Sequence, residues 1–318
     1  MDRGERMEYN GEINDNLNND FIFEEEGHKV DDSINRPSVS YWKDSWRKLK
    51  KNKLAIVGLV FVIIMILAAI LVPWMSKFTF NATNLAITNQ WPSAEHWFGT
   101  DSLGRDLFVR VFYGARYSLI IGFAASILNL LIGIVYGGIS GFAGGRVDNV
   151  MMRIVDVIYS IPMTIYVILL LVIFEKGGLL NIIVALAISY WIGMARIVRS
   201  EILQLKQQEF ILAARTLGAS SKRILFKHLI PNCIGSIIVT LTLQIPSAIF
   251  TEAFLSFIGL GLTPPRASWG TLANEAINTL RLFPYQILFP TLAICLTILS
   301  FNMLGDGLRD ALDPKIQK

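Results

Sequence analysis

Six runs of about twenty predominantly apolar residues dictate what this chain can become. They are Leu54 to Trp74, then about Ser118 to Ile139, Ile154 to Phe174, Leu179 to Val198, Cys233 to Ile258 and Tyr285 to Leu304. At about 1.5 Å of rise per helical residue, a run of this length crosses a hydrocarbon core of roughly 30 Å. Backbone polar groups must be satisfied within each such segment, because lipid offers no partner for them. The expected fold class is therefore all-α, a polytopic membrane protein with six transmembrane helices. Composition agrees: 53% of the 318 residues are hydrophobic and only 17% are charged, against roughly 25% charged residues in soluble domains. The first run lies behind a long polar tail, which argues against a cleaved signal peptide.

The net charge of +4 does not point to nucleic acid, because the cations cluster beside apolar runs. Six lie between Lys43 and Lys53, and six more between Arg199 and Lys227. The positive-inside rule then places both termini in the cytoplasm. The outer loop, 75–117, carries Lys77, Arg105, Arg110 and Arg116. Residues 1–41, rich in Asn, Asp and Glu, read as a disordered cytoplasmic tail. Residues 42–53 set Trp42, Trp46 and Leu49 at helical spacing among basic residues, as expected of an amphipathic helix lying at the membrane interface. Residues 54–74 are the first span, 118–304 a five-helix core, and 305–318 a cytoplasmic C-terminal tail.

Between the fourth and fifth runs, 199–232 is too charged to sit in lipid. Within it Phe210, Ala213 or Ala214, and Leu217 recur at helical spacing, and Gly218 stands where a left-handed cap ends a helix. Ser220 or Ser221 then caps a second short helix, which Pro231 interrupts. Such a helix-turn-helix offers a surface to another protein; an ordinary charged loop is the competing reading.

Gly133, Gly137, Gly141 and Gly145 recur at every fourth residue, a spacing that lets helices approach closely in lipid. Pro162 is expected to kink the third run, and Asp156 to pair with Arg153 one turn away. The fifth run is the most polar, with Thr240, Thr242, Gln244, Pro246, Ser247, Thr251 and Glu252. Either it lines a water-filled path, with Gln244, Ser247 and Glu252 as candidate residues, or its polar groups bond to a neighbouring helix.

Chemistry of other kinds is absent from the sequence. No phosphate-cradling G-x-x-x-x-G-K-[ST] motif occurs. His28, His96 and His228 lie in separate segments without metal-ligand spacing, and Cys233 and Cys295 imply neither a disulfide framework nor a metal site. Energy for any transport must be supplied from elsewhere.

The loop resembles the cytoplasmic loop of permease subunits of ATP-binding-cassette importers, with its Glu-Ala-Ala, later Gly and Pro falling on Leu212, Ala213, Ala214, Gly218 and Pro231. HWFGTDSLGRDLFVRVFYGARYSL (His96 to Leu119), SFIGLGLTPPRASWGTL (Ser256 to Leu272) and LGDGLRDALDP (Leu304 to Pro314) narrow the resemblance to the C-type permease of oligopeptide, dipeptide and nickel importers. The resemblance implies the type I ABC importer permease fold in a bacterial plasma membrane. It implies pairing with a homologous B-type permease subunit, two cytoplasmic ABC ATPase subunits and an extracellular peptide-binding protein. ATP and Mg would be bound by those ATPases. This chain would bind no cofactor and no metal, and would be no enzyme itself.

In that scheme Glu209, Phe210, Leu212, Ala213, Ala214, Leu217 and Gly218 form the ATPase-docking coupling helix, which drives alternating access. Leu212 stands where the family has an acid. Either Glu209 substitutes for it, or Phe210, Leu212 and Leu217 fill an apolar pocket. Outside, Asp101, Arg105, Asp106 and Arg116 either meet the binding protein or brace a folded loop. The Thr263, Pro264, Pro265 turn with Trp269 reads as an external gate. Peptides are the expected substrates. A secondary transporter would need ion-coupling groups near mid-membrane; a scaffold would account for the docking loop but not for the polar fifth run.

Overall fold

The structure is a computed structural model that describes residues 41–174 and 178–312. The expected disordered tail, and the chain from 313, lie outside these residues. No strand forms among the described residues; Thr100 and Asp106 make only an isolated bridge.

Helix α1 (Tyr41–Lys51) buries Ser45 and Leu49 while Trp42 and Trp46 stay half exposed. Lys48 beside Asp44 holds that carboxyl below the usual range. The chain turns at Asn52, whose side chain accepts from the Ala55 N–H and starts α2 (Lys53–Met75). A mostly irregular segment follows and ends at Asp106. Its carboxylate accepts from the Val109 N–H at 2.8 Å, capping α3 (Leu107–Ala143). At 37 residues, α3 is about 55 Å long, well beyond the expected start at Ser118. Residues 107–117, expected in a loop, therefore belong to this helix.

Gly144, at φ +67°, turns the chain into α4 (Gly145–Tyr159), and α5 (Met163–Ile173) follows. The expected third span is broken: the two helices meet at 81°. Pro162 caps α5 and has no N–H to continue the ladder of α4, so the kink becomes a corner. Eleven residues of α5 reach only about 17 Å. Next come α6 (Leu179–Leu205), α7 (Glu209–Thr216) and a composite helix α8, residues 221–232.

Pro231 does not end α8. Residues Ile224–Leu229 widen into a π turn, and Pro231 falls in the first turn of Ile230–Asn232, where a missing N–H costs nothing. Helix α9 (Ile234–Phe257), the short α10 (Trp269–Glu275) and α11 (Tyr285–Leu312) complete the order. Because α11 continues to Leu312, the segment after Leu304 begins as helix rather than tail. Among the described residues five helices are long and apolar enough to cross a membrane, or six if the bent α4–α5 pair is one span.

Helix α3 runs along α6, and α11 packs on both α2 and α9. The glycine spacing accounts for the first contact. A Cβ on Gly133 would stand 2.5 Å from the Met194 Cβ, one on Gly137 would strike the Ala195 carbonyl, and Gly141 rests on the Arg199 backbone. Gly145 is different: nothing approaches it, and its φ of +53° makes it part of the turn. Asp156 pairs with Arg196 at 2.9 Å rather than with Arg153, because the corner at Pro162 lays α4 beside α6.

Candidate functional site: a short helix with an exposed apolar face

Helix α7 is eight residues long, too short to persist alone in water. One residue holds it. Ile211 is wholly buried in an apolar cluster with Val198, Ile202, Ile224 and Leu229, and Leu205 and Phe142 pack against that cluster. The opposite face is bare: Phe210 is 43%, Leu212 51% and Leu217 87% exposed. Glu209 and Ala213 are exposed too, and Ala214 is half-buried.

The end of α7 is set by the backbone. Gly218 has φ +79° and donates its N–H to the Arg215 carbonyl at 2.9 Å, while the Ala219 N–H reaches the Ala214 carbonyl at 3.0 Å. These two bonds are the Schellman pattern, which satisfies carbonyls the helix leaves open. Ser220 then caps α8 by accepting from the Arg223 N–H. The result is a short helix with three exposed apolar side chains and small alanines beside them. Apolar anchors of this kind, once desolvated in a pocket, carry most of an interface's energy.

The candidate path residues do not converge on one surface. Ser247 is exposed. Its carbonyl accepts from the Tyr190 hydroxyl at 3.1 Å, which ties α9 to α6. Gln244 is half-buried with its Oε1 unpartnered. Glu252 is wholly buried, accepting from Ser118 on α3 at 3.0 Å and from Ser256 at 2.7 Å. Its two carboxyl oxygens are engaged by hydroxyls, so it faces a neighbouring helix.

The outer candidates form a brace. Asp101 is buried; its Oδ1 accepts the N–H groups of Leu103 and Arg105, each at 2.9 Å, and its Oδ2 accepts from Arg105 Nε at 2.6 Å and from Arg110. Arg105 and Arg110 both continue to Glu275 on α10. Asp106 joins His96 at 2.8 Å, and Arg116 donates to the carbonyls of Ala69 and Ile70 at the end of α2. Thr263, Pro264 and Pro265 are exposed, but Trp269, expected with them at the outer mouth, is wholly buried. Its indole N–H donates to the Val111 carbonyl at 3.0 Å, fixing α10 against α3. The S-W-G sequence hides this because a capping box of Ser268 and Thr271 turns Trp269 inward.

Two features lie outside the sequence expectations. Ser126 and Asn129 on α3 are fully buried with unpartnered side-chain atoms, and Asp148 holds Arg199 in a two-pronged ion pair. A lone carboxylate in a basic-rich loop region gives no signal of its partner until the helices are placed. Among the described residues no group of His, Cys, Asp or Glu is arranged to hold a metal ion.

Comparison with known proteins places these elements. Residues 131–318 match the family model "Binding-protein-dependent transport system inner membrane component", and residues 40–92 match "N-terminal TM domain of oligopeptide transport permease C". The oligopeptide transport system permease protein OppC of Bacillus subtilis is 53% identical over 90% of this chain and 94% of its own. The dipeptide transport system permease protein DppC of the same organism is 49% identical over 94% and 93%. The glutathione transport system permease protein GsiD of Escherichia coli is 42% identical over 87% and 91%. Among solved structures, a chain of the MetNI methionine ABC transporter shares the fold at 19% identity, with a TM-score of 0.50 over 65% of this chain and 96% of that one.

Proposed function

The chain belongs to the family of binding-protein-dependent transport system inner membrane components, and from that premise we propose that it is the permease half of an ATP-driven oligopeptide importer. It is a multi-pass inner membrane protein and a permease subunit of an ABC importer. Substrate arrives from an external binding protein, a homologous permease completes the pathway, and two cytoplasmic ATPases bind ATP and Mg. Both termini face the cytoplasm, as the clusters of cations at Lys43 to Lys53 and Arg199 to Lys227 indicate. Helix α1 lies at the cytoplasmic membrane interface.

The observation that carries this reading is α7: a short helix held only through Ile211, with Phe210, Leu212 and Leu217 turned outward. It is the coupling helix, and it docks in a groove of one ATPase. With Leu212 in place of an acid, docking rests on apolar contact, supplemented by Glu209 in the first turn. Nucleotide-driven closure of the ATPases moves α7 and swings the helices between inward-open and outward-open states. Gln244 and Ser247 are the residues of α9 available to such a path; Glu252 instead braces α9 on α3. Asp101 and Arg105 shape the outer loop, and Thr263 and Pro264 remain open to the binding protein.

Peptides are favoured as substrates because the relatives include oligopeptide, dipeptide and glutathione permeases. The test is uptake by the four-subunit membrane complex with its binding protein in proteoliposomes, comparing peptides of two to six residues with nickel. Peptide uptake that requires internal ATP and no ion gradient supports the reading. Uptake driven by an ion gradient without ATP would overturn it, and nickel uptake alone would overturn the substrate.

A further inference from the structure

The cytoplasmic ends of three helices meet around one carboxylate. The glycine turn at Gly144 and Gly145 sets Asp148 in the first turn of α4, where its side chain is buried. Arg199 on α6 grips it with Nε to Oδ1 at 2.5 Å and Nη2 to Oδ2 at 2.6 Å. Ser140, near the end of α3, donates to the same Oδ1 at 2.5 Å. Two turns further along α6's direction, Lys206 donates to the Phe142 carbonyl at 2.6 Å, closing the end of α3. Gly141 lets the α3 backbone rest directly on Arg199 and Ile202.

This assembly stands immediately before the docking helix. Only residues 206–208 separate α6 from α7, and Ile211 of α7 packs in the cluster that contains Ile202. The fork geometry fixes orientation as well as distance, which a point charge or apolar contact does not. The second pair between α4 and α6, Arg196 with Asp156, is more exposed on both sides, with 39% and 55% of the respective side chains open to solvent. It is correspondingly weak. Orientation of α4 relative to α6 therefore depends on Asp148 and Arg199.

We propose that the Asp148–Arg199 fork is a clasp that makes α3, α4 and α6 move with α7, so that a displacement of the docking helix reaches the bent α4–α5 limb. Without it, α6 and α7 shift while α4 stays behind, and ATP is hydrolysed without moving substrate. Asp148 and Arg199 are positioning residues; they touch neither nucleotide nor substrate. The inference rests on α7 being the ATPase-docking helix.

The experiment measures uptake and ATP hydrolysis together in proteoliposomes holding the complete complex. Asp148→Asn and Arg199→Gln are expected to assemble in normal amount and hydrolyse ATP, with peptide moved per ATP reduced about tenfold, within the range of typical coupling energies. Arg199→Lys keeps the charge but loses the fork and should fall between. The exchange Asp148→Arg with Arg199→Asp should recover part of the ratio. Arg196→Gln should leave it nearly unchanged. If the single variants transport at the wild-type ratio, the clasp is wrong. If they only lower the amount of complex, with an unchanged ratio in what remains, the pair is a structural staple and the clasp is again overturned. Should Asp148→Asn and Arg199→Gln fail to assemble, Arg199→Lys decides: a depressed ratio supports the clasp and a wild-type ratio overturns it. Wild-type complex that takes up no peptide with ATP would instead sink the functional reading.

Discussion

Gly218 tests whether the proposed docking helix depends on a backbone conformation or on a side chain. Its φ is +79°, and a Cβ added there would meet nothing within 4 Å, so substitution introduces no clash and changes only the backbone's preference. An L-residue forced into the left-handed region costs roughly 1–2 kcal/mol. Asn tolerates that region better than Ala. Proline cannot reach it, since its φ is held near −65°, and it also removes the N–H that bonds the Arg215 carbonyl. A cost of about 1–2 kcal/mol raises the open population of α7 roughly 5- to 30-fold. The helix has only Ile211 as a buried anchor, so little else offsets the loss. Uptake should therefore fall in the order Gly, Asn, Ala, Pro, with Pro inactive and all four proteins recovered from the membrane in similar amount. Hydrogen exchange at residues 209–219 should rise in the same order. Uptake by Gly218→Pro at the wild-type rate would refute the reasoning, and so would Ala outperforming Asn, because side-chain polarity rather than φ would then govern.

Further perturbations separate docking from folding. Ala213→Arg places a charge on the exposed face of α7 and should abolish uptake and ATPase binding in pull-down while the permease stays in the membrane; Phe210→Ser should weaken binding less. Gly137→Leu drives a side chain into the Ala195 carbonyl and should prevent α3 from seating on α6, seen as loss of folded protein after detergent extraction. Trp269→Ala removes a wholly buried indole and should destabilise the outer end by about 3–5 kcal/mol, lowering the thermal midpoint, whereas deletion of 263–266 should leave that midpoint nearly unchanged and test the loop's role through uptake alone.

The apolar runs, the cap at Gly218 and a packing role for the α3 glycines were legible in the sequence because each is local or periodic. A glycine at every fourth position repeats on one helix face whatever packs there, and a left-handed cap depends on one residue. Boundaries were harder. Helix α3 starts eleven residues before Ser118, since the amphipathic stretch LFVRVFYGARY carries charges that hydropathy reads as loop. Arg110 in that stretch donates to Asp101 nearby and to Glu275, and Arg116 to the carbonyls of α2; Glu275 and α2 lie far away in sequence.

By itself the sequence determined that this chain crosses the membrane as helices and that a short helix with an apolar face stands between two spans. These follow from the cost of burying backbone and charge in lipid and from residue-level backbone preference. Tertiary structure decided the rest. It turned Pro162 from a kink into an 81° corner, moved Asp156 from Arg153 to Arg196, buried Trp269 and Glu252 against α3, and joined Asp148 to Arg199. Each of those outcomes depends on which helices become neighbours, and polar partners separated by tens of residues are fixed only when the helices pack.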